Sequence, residues 1–380
     1  MLAIVFALFA IISLIADFSI YKFPYSQTLF FLLLLFLFFS NNRTKQIGNK
    51  NSIIFLVGWA VVYAISFIIN SSLPGFGLII SLIYGFLFLS LDKGVILSVF
   101  RFFVWFLTVL LVCSIVEYSI FQFLGKGFVL GSVVRTTEFT SSYFDHLLFN
   151  IIRTELLLPR FQSLADEPGR LGTLCGLLLF PVWRMKNLKF PFFVILIGGI
   201  ITFSLAYYIL LVIFLVSSIR HSFKTAILLL SFLAVVAYYL QDNLNYLILA
   251  RFEETEKVDN RTSEVFDSYF ERAIDNGEIW LGVGKEKMRI IAEESDGGNG
   301  GGKVWVLQYG VISFIVVLLI YNLIYYRICP KRFRFYDWFF LLAFWLSFYQ
   351  RQTVYIPTTM LAFFSMPFIR AFYLEQNIKE

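Results

Sequence analysis

The chemistry this chain can carry is concentrated in one run, Arg160-Phe161-Gln162-Ser163-Leu164-Ala165-Asp166-Glu167-Pro168-Gly169-Arg170-Leu171-Gly172. Two arginines flank an Asp-Glu pair, and Pro168 sits where the first turn of a helix accepts proline. Guanidinium groups grip phosphate oxygens in bidentate fashion. The free N–H groups and positive dipole of a helix start also favour an anion. The run therefore predicts a helix capped by Asp166 or Glu167, with Arg160 and Arg170 beside it, as a phosphate-binding end. The plainer alternative is a capped helix with local salt bridges.

A second polar region opens with Glu253, Glu254, Glu256 and Asp259 and continues through Arg261 and Arg272. Val265, Tyr269, Arg272 and Ile274 follow near-helical spacing, which predicts an amphipathic helix lying over the membrane. Ile279-Trp280-Leu281-Gly282-Val283-Gly284 comes next, an apolar-aromatic patch ending in a tight turn. Trp280, Tyr269 and Phe270 have the rings to stack on sugars, although burial against the helix is the default for such residues. Lys285, Lys287 and Arg289 read as a solvated face. Glu117 lies near the end of a long apolar segment, where an acid is a functional candidate. A partner arginine or an interfacial position is the favoured account of it.

Other chemistries lack their residues. HExxH, Walker A, GxSxG and DxD patterns do not occur, and His146 and His221 are the two histidines. The cysteines, Cys113, Cys175 and Cys329, form no CxxC pair. A metal-dependent hydrolase, a thiolate zinc site and a disulfide framework are all disfavoured.

The elements that position these residues are membrane helices. Of 380 residues, 59% are hydrophobic and 15% charged, and Phe occurs 47 times. Soluble domains carry about 25% charged residues. Twelve apolar segments are legible, at 2–16, 28–40, 53–69, 74–90, 96–124, 167–183, 190–203, 205–219, 224–241, 304–327, 336–349 and 353–373. The first lacks a basic flank and a small-residue cleavage site, so it reads as a retained helix rather than a signal peptide. The reading is an all-α polytopic protein in a single membrane domain, interrupted by two large loops at 125–166 and 242–303.

Orientation follows from the short basic loops at 41–51, 92–101, 184–189, 220–224 and 327–334. They share the cytoplasmic side only if 190–219 is a hairpin of two helices. Both termini are then cytoplasmic, the two large loops lie outside, and the +6 net charge reflects topology rather than nucleic-acid binding. Each arm of that hairpin reaches about 22 Å at roughly 1.5 Å per residue, short of the roughly 30 Å hydrocarbon core. Its turn, near Thr202-Phe203-Ser204, should lie below the outer surface, where irregular backbone must be buried in protein or line a cavity.

With these residues in place, a resemblance emerges. The run Arg160–Gly172 resembles the R-x-x-G-x-x-x-E-P-x-x-x-G signature of Wzy-type O-antigen and exopolysaccharide polymerases. Thr202-Phe203-Ser204 is similar to that family's T-x-S element, and Arg261 followed by Leu281-Gly282-Val283-Gly284 to its second-loop pattern. The stretch from Gly297 to Gly310 looks like a diverged form of its H-N-x-x-L-x-x-L-x-x-x-G segment. Ser163 stands where the family often has Gly, and the histidine of that last segment is missing, with Asn299 nearby. The related O-antigen ligases use that histidine, so its absence favours a polymerase.

The resemblance implies a GT-C-like, metal-independent glycosyltransferase of the bacterial inner membrane, with no cofactor. Its donor would be a growing glycan on undecaprenyl pyrophosphate, and its acceptor the non-reducing end of a lipid-linked repeat unit. Arg160 and Arg261 would hold the pyrophosphate, with Arg170 or Arg272 in support. Glu167 would deprotonate the acceptor hydroxyl or orient these arginines. Trp280 and Tyr269 would contact sugar. The bilayer and a chain-length regulator would be partners. A ligase of the same fold and a lipid-linked sugar flippase are the alternatives, the latter disfavoured by the lack of repeated halves.

Overall fold

A computed structural model of the chain describes residues 1–17, 19–22, 26–40, 49–71, 75–125, 129–136, 141–153, 160–219, 263–295, 301–329, 335–351 and 354–377. Arg261, His221, the predicted segment 224–241 and the loop at 220–224 lie outside these residues.

Among the described residues the chain forms α1 (Leu2–Leu14), α2 (Ser26–Ser40), α3 (Lys50–Asn70), α4 (Phe76–Leu89) and α5 (Lys93–Leu124). The first large loop carries β1 (Gly131–Thr136), β2 (Ser141–His146) and β3 (Ile151–Arg153). Then follow α6 (Pro168–Arg184), α7 (Lys189–Ile201) and α8 (Leu205–Ile219). The second loop contributes α9 (Glu264–Asp275), a 3-10 turn at Glu278–Trp280, and α10 (Gly284–Glu294). The chain ends with α11 (Gly302–Ile328), α12 (Phe335–Gln350) and α13 (Pro357–Asn377). Every predicted apolar segment within the described residues is a helix.

This is the fold of an all-α membrane protein, with the small sheet of the first loop as its exception. Among the described residues, three helices are long and apolar enough to cross a membrane by length and composition: Lys50–Ile68, Lys93–Leu124 and Gly302–Ile328. Leu2–Leu14, Ser26–Ser40, Phe76–Leu89 and Leu205–Ser218 are shorter apolar helices. A single large apolar core runs through the bundle, with Phe6, Phe100, Phe180, Tyr321 and Phe363 in its interior.

Side-chain contacts sort the helix ends into two groups. At one end, Arg327 Nε donates to Asn51 Oδ1 (3.0 Å), Lys93 lies over the Phe372 ring and Arg184 lies over Tyr336. Arg370 pairs there with the fully buried Asp337, which also accepts from the Tyr325 hydroxyl (3.0 Å). These are the helix ends next to four of the five short basic loops, at 41–51, 92–101, 184–189 and 327–334. The opposite end holds the described parts of the two large loops, the start of α6, the α7–α8 turn and Arg351 at the end of α12.

The first loop is tied to this opposite end. Its strands pair antiparallel in the order β1-β2-β3. Glu117, near the end of α5, accepts from the backbone N–H of Leu148 (2.7 Å) and Phe149 (2.8 Å) and from Asn150 Nδ2 (2.9 Å). Backbone amides of the β2–β3 turn are thus among the partners of Glu117. His146 is buried, with Nδ1 donating to Leu147 O (2.6 Å) and Nε2 accepting from Ser19 Oγ (3.0 Å). Burial holds this imidazole below its ordinary pKa, against the opposing pull of the Leu147 carbonyl and Glu117.

Candidate functional site

The predicted helix start is real. Glu167 is the N-cap of α6 with extended backbone (φ −149°, ψ 145°), and Pro168 follows in the first turn. The Glu167 side chain does not cap the helix. Instead its Oε2 meets Nη1 of Arg351 at 2.5 Å. Arg351 ends α12's last turn, with its N–H bonded to Ser347 O (2.9 Å). Its guanidinium lies against Gly169: a Cβ there would come within 2.3 Å of Nη2. Glycine at this position leaves the room that brings the guanidinium onto the helix start.

Arg170 points to the other side of the same turn. Nη1 pairs with Asp166 (3.0 Å), and Nη2 donates to the carbonyl of Ser13 on α1 (2.9 Å). Tyr355 lies close enough to Arg170 to feel its charge. The segment leading into α6 is anchored by Ser163, which adopts a left-handed backbone (φ +51°) and bonds the Ser114 hydroxyl (2.7 Å). An isolated bridge between Ile15 and Ala165 joins the same segment to the end of α1.

The predicted hairpin is present, with α7 and α8 broken at 202–204. Both arms pack against α6. Gly172 faces the turn so closely that a Cβ would lie 2.7 Å from Ser204 Cβ and 2.8 Å from Thr202 Oγ1. Phe203 carries the reversal in a left-handed conformation (φ +48°). The Tyr207 hydroxyl then donates back to Leu196 O (2.8 Å), and that of Tyr208 to Ile200 O (2.9 Å), tying the arms together. At 13 and 15 residues the arms are short, as expected.

Arg160 docks onto this turn. Its Nη2 donates to Phe203 O (2.8 Å), and Nε and Nη2 both approach Thr202 O at 3.3 Å. Three arginines, at 160, 170 and 351, are thus held around the start of α6 and the turn it packs against. Two carboxylates, Asp166 and Glu167, offset part of their charge.

Tyr269, Arg272 and Trp280 belong to a separate folded unit. Ser263 caps α9 by accepting from Phe266 N–H (3.1 Å). The Arg272 guanidinium lies 4.3 Å from the centre of the Tyr269 ring, and the Tyr269 hydroxyl donates to Glu294 on α10. That hydrogen bond raises the phenol above its ordinary pKa.

The helix predicted here exists, and it packs into a small core of its own unit. Phe266 and Ala273 are buried with Ile279, Met288, Ile291, Val304 and Leu307, and Tyr269 and Phe270 are half-buried against them. Val265 and Ile274 are exposed. The apolar side is selected by what α9 meets, namely the first turns of α11, and the 265/269/272/274 spacing is the flank of that face. Lys303 of α11 pairs with Asp267 of α9 (3.0 Å) and seals the contact. Lys287 pairs with Glu278 (2.9 Å), and Arg289 with Glu293 (2.7 Å).

The Gly-x-Gly turn has a structural use. Gly282 (φ +83°) abuts Gly310 (φ +87°, ψ 157°), the non-helical residue that kinks α11. A Cβ on Gly310 would lie 2.5 Å from the Trp280 carbonyl oxygen and from the Leu281 carbonyl carbon. A Cβ on Gly282 would lie 2.5 Å from Gln308 O. Val283 N–H bonds Leu307 O (2.8 Å) across the joint.

Arg351 and the Ser13 carbonyl escaped the sequence reading. Arg351 is a lone basic residue in a short connection with no motif around it. Its one signal is that an arginine there falls on the side otherwise rich in acid.

Chemically, the arrangement around α6 offers guanidinium donors and a helix N-terminus to an anion, with a carboxylate beside them that either accepts a proton or orients a guanidinium. Among the described residues no three His, Cys, Asp or Glu side chains gather as they would around a metal ion. No protein-family model, curated protein or solved structure matches the chain.

Proposed function

We propose that the protein is a Wzy-type polysaccharide polymerase of GT-C type, with twelve membrane spans, cytoplasmic termini and its reactive end facing the periplasm. The observation that carries this reading is the convergence of Arg160, Arg170 and Arg351 on the start of α6 and the 202–204 turn. Two elements of the family-like signature, the run 160–172 and the turn at 202–204, are distant in sequence yet lie side by side.

In this reading the donor glycan's anomeric carbon is attacked by a hydroxyl at the non-reducing end of a lipid-linked repeat unit. The bond to undecaprenyl pyrophosphate breaks, and negative charge builds on the departing pyrophosphate. Guanidinium groups and helix N–H groups stabilise that charge without a metal. Arg170 and Arg351 flank the helix start, and Arg160 fixes the turn beneath it. Glu167 holds Arg351 in the resting state. When pyrophosphate takes that guanidinium, the carboxylate is released to accept the acceptor's proton. Arg261 and Arg272 of the second loop are further candidates for the phosphates, and Tyr269 for sugar contact. A chain-length regulator is the expected partner.

The test is turnover by purified protein in nanodiscs, given defined undecaprenyl-pyrophosphate repeat units with excess EDTA. A ladder of lipid-linked oligomers supports a metal-independent polymerase. A single transfer of preformed chain to a different acceptor makes it a ligase. No product from folded protein and the correct repeat unit overturns both.

A further inference from the structure

The kink in α11 divides that helix into two parts of different character. No residue from 302 to 309 is exposed, because these turns are wrapped by α9, α10 and the main core. Immediately beyond Gly310 a stripe of exposed apolar side chains begins: Ile312, Ile315, Leu319 and Leu323, at helical spacing. From 311 to 326 there is no charged residue. Residues 311–328 cover about 27 Å at roughly 1.5 Å per residue, close to the roughly 30 Å of a hydrocarbon core. The part that matches a membrane is the part after the kink, which puts Gly310 at the membrane boundary.

The second-loop unit meets α11 at that residue. Trp280 and Leu281 touch Gly310 through their backbones, yet their side chains are 56% and 42% exposed, while Ile279 beside them turns into the unit's own core. An exposed Trp-Leu pair fixed at the level where a helix enters lipid has the chemistry of an interfacial anchor, with an apolar ring and an N–H that finds partners among headgroups.

We infer that Trp280 and Leu281 insert into the outer polar–apolar interface of the bilayer and hold the α9–α10 unit down on the membrane beside α11. The occupant of this patch is lipid, because the backbone of the pair abuts Gly310, two residues before the exposed apolar stripe of α11 starts at Ile312. Trp280 then serves the membrane rather than a sugar ring, and this assignment is independent of the polymerase reading.

The test is spin-label accessibility in nanodiscs of mixed phosphatidylethanolamine and phosphatidylglycerol. In a background with Cys113, Cys175 and Cys329 replaced by Ala, labels are placed one at a time through Leu281→Cys, Ile312→Cys and Lys285→Cys. Trp280→Cys is the second probe of the same corner should Leu281→Cys misfold. An interfacial position is expected to give an oxygen-to-nickel-chelate accessibility ratio at 281 at least about threefold above that at 285 and approaching that at 312. A ratio at 281 and 280 equal to that at 285 would place the pair in water and overturn the inference.

Discussion

Gly169→Ala separates the placement of Arg351 from the stability of the fold. The added methyl would lie 2.3 Å from Arg351 Nη2, so the guanidinium must leave the start of α6 and release Glu167. The obstructed group is the far end of a flexible side chain, and it can swing away without moving backbone. The lost ion pair, whose Glu167 side is 47% exposed, is worth about 0.2–1 kcal/mol. Alanine in place of glycine within a helix returns roughly 0.5–1 kcal/mol. These effects nearly cancel, and the thermal midpoint should stay within about 3 °C of the parent.

Turnover should respond very differently. Removing one preorganised donor to a developing oxyanion costs about 10²–10³-fold in rate, or roughly 2.7–4 kcal/mol. The assay is the initial rate of ladder formation in nanodiscs, with unfolding followed by intrinsic fluorescence on the same preparations. Gly169→Ala and Arg351→Ala should each lose about 10²-fold, and the double variant little more, because both remove the same contact. Arg351→Lys should recover little, since a point charge does not replace a planar fork. Parental rates in a folded Gly169→Ala protein would refute the claim that Arg351 acts at the start of α6.

Three further outcomes are expected. Gly310→Ala places a non-glycine residue at φ +87° and drives its Cβ into the Trp280–Leu281 backbone; strain of about 1–3 kcal/mol plus that clash should undock the second-loop unit, read as faster proteolysis at 263–295. Glu117→Gln turns one oxygen acceptor of the 148–150 turn into a donor facing a backbone N–H, and should cost about 1–3 kcal/mol in denaturant unfolding. Burial depresses the His146 pKa below its ordinary 6.5, so the unfolded state binds the extra proton. The stability this contributes is present above pH 6.5 and lost as pH falls through the folded pKa, and His146→Gln should flatten the acid limb of a midpoint-against-pH profile.

What the sequence made legible was periodic or counted. The break at 202–204 followed from charge placement and arm length alone. The start of α6 followed from Pro168 and its acidic neighbours. The partners did not follow, because a partner is a tertiary fact. Glu167 meets a residue 184 positions away, and Glu117 meets backbone amides that no residue type announces. The core that α9 joins did not follow either, because a face carrying Val265, Tyr269 and Ile274 and a face carrying Phe266 and Ala273 both suit a helix, and Val304 and Leu307 of α11 decide which one is packed. The three strands of the first loop, short and partly polar, have no sequence period strong enough to declare them.

The bond between Glu167 and Arg351 also carries a consequence for biosynthesis. Chains emerge from the ribosome in order, so the start of α6 is made long before the α12–α13 connection that supplies its guanidinium. A nascent or truncated chain that stops before residue 351 has the turn, Arg160 and Arg170 but not this clasp. Completion of the candidate centre is thereby timed to the arrival of the last pair of helices, and a prematurely terminated product cannot assemble it.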